Sequence, residues 1–143
     1  MIYRLARINM FEELNTYYEK IGNTMNHSID DKWSHALYHV FFGDHFIESF
    51  AEYFSLSEQA YRSFNSLPTR DLIIELRKKH IELGKDPWGA IHFRLEPDGK
   101  FKVDLNYEDC NDKGFYDNPD KLFEFSTELI NRCLQPGKSK PKD

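Results

Sequence analysis

Residues Lys85 to Asp109 read KDPWGAIHFRLEPDGKFKVDLNYED, and their order predicts a β-hairpin that ends in an acidic edge. Ile91, Phe93 and Leu95 alternate with His92 and Arg94; Phe101, Val103, Leu105 and Tyr107 alternate with Lys102, Asp104 and Asn106. That is the two-residue period of half-buried strands. Between the two runs sits Glu96-Pro97-Asp98-Gly99, where Pro pre-sets its backbone angle and Gly is free to take positive φ. One face of the hairpin enters a core, and the other carries charge towards solvent or a partner.

Upstream of the hairpin, Asn9 followed by Glu12 resembles a helix start, with Met10, Leu14, Tyr17, Tyr18 and Ile21 on one stripe. This predicts a first helix over Asn9–Gly22. The segment Trp33–Phe42 reads as a strand with His35, Leu37, His39 and Phe41 on one face and Ala36, Tyr38, Val40 and Phe42 on the other. Gly43-Asp44 is a turn, and the aromatic content of His45–Phe54 favours a second strand over a helix. Ser57 before Glu58 and Gln59 has the form of an N-cap, predicting a helical region from there to Leu83, kinked or split at Pro68 and ended by Gly84. Downstream, Asn118-Pro119 opens a last helix with Leu122, Phe125, Leu129, Ile130, Cys133 and Leu134 on one side. Helix, two strands, long helix, two strands, helix is the pattern of the α+β class, an antiparallel sheet of about four strands with helices packed against it. Residues 1–134 are expected to form one domain and residues 135–143, QPGKSKPKD, a mobile tail.

A chain of 143 residues fits one domain with a substantial core, and its 12 Phe, 8 Tyr and 2 Trp supply large buried areas. No apolar run approaches the ~20 residues of a membrane helix, and the amino terminus has no signal-peptide pattern. A soluble, cytoplasmic protein with no membrane partner is expected. Cys110 and Cys133 are the only cysteines, too far apart for a zinc motif and too few for a disulfide framework. The net charge of −5 disfavours direct binding of nucleic acid, which needs clustered Lys and Arg. Arg70, Arg77, Lys78 and Lys79 on the long helix read as a solvated basic face.

Six histidines invite a metal or catalytic reading. His35 and His39 share a strand face but stand roughly 13 Å apart, too far to share one ion. No His-Glu-x-x-His helix, nucleophile elbow, phosphate loop or dinucleotide fingerprint occurs, so no catalytic residue, metal or cofactor is expected. One enzymatic alternative remains open, a small hydrolase with His92 and Asp104 facing each other across the hairpin.

Between Asp104 and Glu124 lie seven acids, Asp104, Glu108, Asp109, Asp112, Asp117, Asp120 and Glu124, against Lys113 and Lys121, a local excess equal to the net charge of −5. The bland reading is a solubilising surface whose Asp117 and Asp120 suit a helix start. Interleaved Tyr107, Phe115 and Tyr116 favour a protein interface instead, because aromatics anchor interfaces while surrounding charge sets association rate and partner choice. The expected partner-binding residues are Asp104, Tyr107, Glu108, Asp109, Asp112, Tyr116, Asp117 and Asp120. A general acidic adaptor for some basic protein is a further alternative.

Asp86-Pro87-Trp88 after an amphipathic helix ending at Gly84, then Phe93-x-Leu95-x-Pro97-Asp98-Gly99-Lys100-Phe101-Lys102-Val103-Asp104, then Tyr107-Glu108-Asp109, resembles the YezG/EsaG-type immunity, or antitoxin, family. A looser match runs upstream through Ser57-Glu58-x-x-Tyr61. The resemblance implies a small, soluble, non-catalytic protein that binds and neutralises the nuclease domain of a polymorphic secreted or contact-delivered toxin. Charge then suggests the mechanism: a nuclease presents a cationic groove to phosphates, so the expected partner is a basic protein domain, met by stoichiometric complex formation. Trp88, at the helix-to-strand junction, is expected to pack the long helix against the sheet.

Overall fold

The computed structural model describes residues 2–108 and 110–116, with side chains described from residue 12 onward. Two helices, α1 (Ile2–His27) and α2 (Leu67–Glu82), accompany five strands: β1 (Trp33–Phe42), β2 (Ile47–Ser55), β3 (Ala60–Ser63), β4 (Ala90–Leu95) and β5 (Phe101–Asn106). The strands form one sheet in the order β3-β2-β1-β4-β5, every neighbour antiparallel. The α+β class is as expected, with one strand more than the sequence suggested. The predicted last helix and the tail lie outside the described residues.

Strand alternation places the core. Ala36, Tyr38, Val40 and Phe42 of β1 are in register with Leu95, Phe93, Ile91 and Gly89 on the β4 side. These side chains meet Leu14, Ile21 and Met25 of α1 and Ile73 and Leu76 of α2 in one buried cluster. The opposite face carries His39 and Phe41 of β1, His92 and Arg94 of β4, and Lys102 and Asp104 of β5, which follows from the two-residue period. The β4–β5 turn closes as the sequence predicts. Gly99 has φ +93° and donates to the Glu96 carbonyl at 3.0 Å, Glu96 N–H donates to the Lys100 carbonyl at 2.9 Å, and Asp98 Oδ1 accepts from Lys100 N–H at 3.0 Å. This is a turn followed by a left-handed residue, which fixes the register of both strands.

The region from Ser57 to Leu83 departs from expectation. It is not one kinked helix: Leu56–Gln59 is a turn, Ala60–Ser63 is β3, and α2 starts at Leu67. Ser57 caps no helix; its hydroxyl, with those of Ser55 and Tyr53, donates to Asp31 at 3.2, 2.7 and 3.1 Å. Those bonds, chiefly that from Ser55, hold the Asp31 carboxyl below its usual pKa. Tyr61 pairs with Phe54 and is buried, so burial rather than helix propensity decides this segment. Pro68 falls in the first turn of α2, where its missing N–H would have had no helical partner in any case. The first helix is longer than the predicted Asn9–Gly22 at both ends.

Candidate partner-binding surface

The chain after β5 forms a short loop, Tyr107–Tyr116, whose shape is imposed by its own polar side chains and by α2. Asn111 Oδ1 accepts from the backbone N–H groups of Lys113 and Phe115 at 3.0 and 3.1 Å, and Asn111 exchanges further backbone bonds with Gly114 and Phe115. Gly114 has φ +75°, and a Cβ there would lie 2.7 Å from Pro87 Cβ. Only glycine accepts both constraints without displacing its neighbours.

The loop is then clamped from below by Arg77. This residue is 8% exposed, contrary to its expected place on a solvated basic face. Its Nε donates to the Trp88 carbonyl at 2.9 Å, and one terminal nitrogen donates to the carbonyls of Lys113 and Gly114 at 3.0 and 2.9 Å. The guanidinium lies between two rings, 4.8 Å from the centroid of Phe42 and 4.9 Å from that of Phe115. Among the described residues no carboxylate is bridged to it, so carbonyl dipoles and ring faces balance the charge, and burial depresses its pKa. Arg77 stands four residues after Ile73 and three before His80 on the buried stripe of α2, but that spacing alone does not separate it from the basic run around it.

Trp88 occupies the junction as expected. It is fully buried, with its ring edge-on to Phe42 at 5.6 Å and its Nε1 donating to His80 Nδ1 at 3.1 Å. Accepting that bond in a buried site, His80 has a pKa pushed down to about 4 by desolvation, with Lys85 adding to the effect.

The residues expected to bind a partner divide once placed. Tyr107 is 49% exposed, and Glu108 and Asp112 are exposed on the loop. Asp86, from the segment between α2 and β4, lies close enough to help burial raise the Tyr107 pKa, so it joins this group although its distance along the chain hid it from the sequence reading. Asp104 lies on the sheet face, opposite His92, with its carboxylate 3.9 Å from Lys102 Nζ. Tyr116 is buried, not displayed. It packs edge-on to Phe41 at 5.6 Å, donates its N–H to the Phe42 carbonyl at 2.8 Å, and accepts from Asn106 Nδ2 at 2.7 Å. It therefore ties the loop to β1 and β5. Asp109, Asp117 and Asp120 lie outside the described residues.

The family model for immunity protein YezG-like proteins matches residues 44–132, from the β1–β2 turn through β2, β3, α2, β4, β5 and the clamped loop. The chain belongs to the YezG-like immunity family. No curated protein matches it. Membership gives a general immunity, or antitoxin, role, exercised on a toxin partner, and points to binding in place of catalysis. Among the described residues no helix is long and apolar enough to cross a membrane.

His35 is buried against Phe54 and hydrogen-bonded to the Tyr61 hydroxyl at 2.8 Å. Tertiary pairing joins His39 not to His35 but to His92, their Nδ1 atoms 2.8 Å apart, so one of those nitrogens carries the shared proton. Burial lowers the His92 pKa against the opposing pull of Asp104. Among the described residues no group of three or more His, Cys, Asp or Glu side chains could hold a metal ion.

Proposed function

We propose that this YezG-like chain neutralises the nuclease domain of a cognate secreted or contact-delivered toxin in the cytoplasm, by forming a stoichiometric complex. The observation that carries the proposal is a displayed acidic loop, with Tyr107, Glu108 and Asp112 exposed and its backbone held by Arg77 and Gly114. A nuclease presents a cationic groove to phosphates, and an anionic surface competes for the same field. Tyr107 supplies a large apolar contact beside the charge, and a loop already ordered in the free protein loses little entropy on docking. Asp104 stands at the margin of this surface because Lys102 partly neutralises it. Asp109, Asp117 and Asp120 extend it by sequence.

Co-expression with the toxin encoded beside this gene tests the reading. The chain should restore growth and co-purify with the toxin in a fixed ratio. In a binding assay at low salt, replacing both Glu108 and Asp112 by Lys should slow association about tenfold or more. No rescue removes the toxin reading, whereas rescue with an unchanged association rate removes this loop from the interface. The register pairing of His92 with Asp104 keeps the hydrolase alternative open to a direct assay. Turnover by the purified chain that disappears in His92→Gln would replace the antitoxin reading.

A further inference from the structure

The two edges of the sheet differ. On one side β3 is only four residues long, and its Arg62 is engaged by Glu58. On the other side β5 is six residues long and contains no proline; among the described residues nothing pairs with its outer side. Such an edge offers unpaired backbone groups to another chain unless something guards it.

The hydrogen-bond phase identifies those groups. Glu96 and Lys100 are bonded across the hairpin, while on the far side of β4 the Phe42 N–H donates to the Gly89 carbonyl at 2.8 Å. With antiparallel alternation, Lys102, Asp104 and Asn106 then bond towards β4, and Phe101, Val103 and Leu105 direct N–H and C=O outward.

We propose that β5 pairs antiparallel with β5 of a second copy of this chain, centred on Val103, so that two sheets join into one. Side-chain charge selects the register. Only outward-directed residues can form bonded pairs, so Val103 meets Phe101, Val103 or Leu105 of the second copy. The first choice sets Lys102 against Lys102, and the third sets Asp104 against Asp104. The central choice sets each Lys102 against Asp104 of the second copy, once on either side of the two-fold axis. Both side chains are available, at 73% and 63% exposure. On the helix-bearing face the same register places Phe101, 38% exposed and 6.1 Å from Tyr18, against Leu105 of the second copy. A lysine on an edge strand ordinarily repels other strands; the aspartate two positions on turns this one into a selector for its own sequence. Glu108 and Asp112 stay outside the paired residues, and the inference is independent of the toxin reading because the isolated chain tests it.

Sedimentation of the full chain across a concentration series should show conversion from 17.1 kDa to twice that mass. Lys102→Asp and Asp104→Lys should each weaken the dimer about tenfold or more, since each turns two attractive cross-strand pairs into repulsive ones. The double variant Lys102→Asp/Asp104→Lys should restore it, which also shows that the single variants did not fail through misfolding. In the wild type, amide exchange at Phe101, Val103 and Leu105 should slow as concentration rises, while Lys102 and Asp104 amides stay unchanged. A chain that remains monomeric throughout overturns the proposal. So does a dimer indifferent to the single charge reversals, or one whose outward β5 amides exchange as fast as in the monomer.

Discussion

Replacing Arg77 by Met removes the clamp while keeping much of the side-chain volume, and the structure sets the scale of the loss. Three carbonyl bonds of 2.9 to 3.0 Å end on one guanidinium that is 8% exposed. A hydrogen bond from a charged donor contributes roughly 1.5–3 kcal/mol net, and a buried acceptor left unpaired costs about 1–3 kcal/mol. Part of this is offset, because burying the guanidinium is itself unfavourable, as its depressed pKa records, and the Lys113 carbonyl is near enough to the surface to find water. A net loss of about 3 kcal/mol results, equivalent to roughly 10 °C in Tm for a domain of this size. Because no carboxylate among the described residues is bridged to Arg77, the loss should change little with salt. Urea unfolding at low and physiological ionic strength measures both quantities, and amide exchange at Gly114 and Phe115 reports whether the loop itself has loosened. Arg77→Lys should recover only part of the stability, since an ammonium cannot reach three carbonyls in the fork geometry. A loss below about 1 kcal/mol for Arg77→Met, or normal protection at Gly114, would refute the clamp.

Gly114→Ala should destabilise by about 2–4 kcal/mol, because it adds a Cβ 2.7 Å from Pro87 at a position with φ +75°; chemical denaturation checks it, and Gly84→Ala, with positive φ but open space around it, should cost less. Trp88→Ala should cost about 3–5 kcal/mol through the cavity it leaves and the lost bond to His80, visible as a fall in Tm; any loss of toxin binding should appear only where the variant unfolds. Lowering the pH from 7 to 5 should destabilise the protein by about 2 kcal/mol through His80 alone. The unfolded chain takes up that proton at the ordinary histidine pKa of 6.5, whereas the folded protein resists it down to about 4, so stability is lost as the pH falls through this window. His80→Gln should flatten that part of the profile, and an unchanged pH dependence would show that His80 does not carry it.

The hairpin of β4 and β5 was legible in residue order because each of its determinants is local. Alternation decides which side chains enter the core, and Glu96-Pro97-Asp98-Gly99 fixes the turn by backbone angles that Pro and Gly prefer on their own. The same holds for β1 and β2 and for the position of Trp88. What depends on distant partners was not legible. Ser57-Glu58-Gln59 carries a helix-cap pattern, yet Asp31 recruits its serine and the burial of Tyr61 makes the following four residues a strand. Arg77 sits in a run of basic residues, and its burial depends on carbonyls presented by Trp88, Lys113 and Gly114. Tyr116, with an apolar ring and a polar tip, suits an interface and a core equally well until Phe41 and Asn106 are placed around it.

The amino-acid order alone therefore determined β1, β2, β4 and β5, the alternating faces of β1, β4 and β5, and the acidic, aromatic character of the segment after β5, since period, turn chemistry and charge act between near neighbours. The tertiary structure decided that β1 lies between β2 and β4, which brings His39 to His92, buries Arg77 under the acidic loop and leaves β5 at the rim. Those outcomes arise from packing contacts made only after chain segments far apart in sequence have come together, and no local preference encodes them.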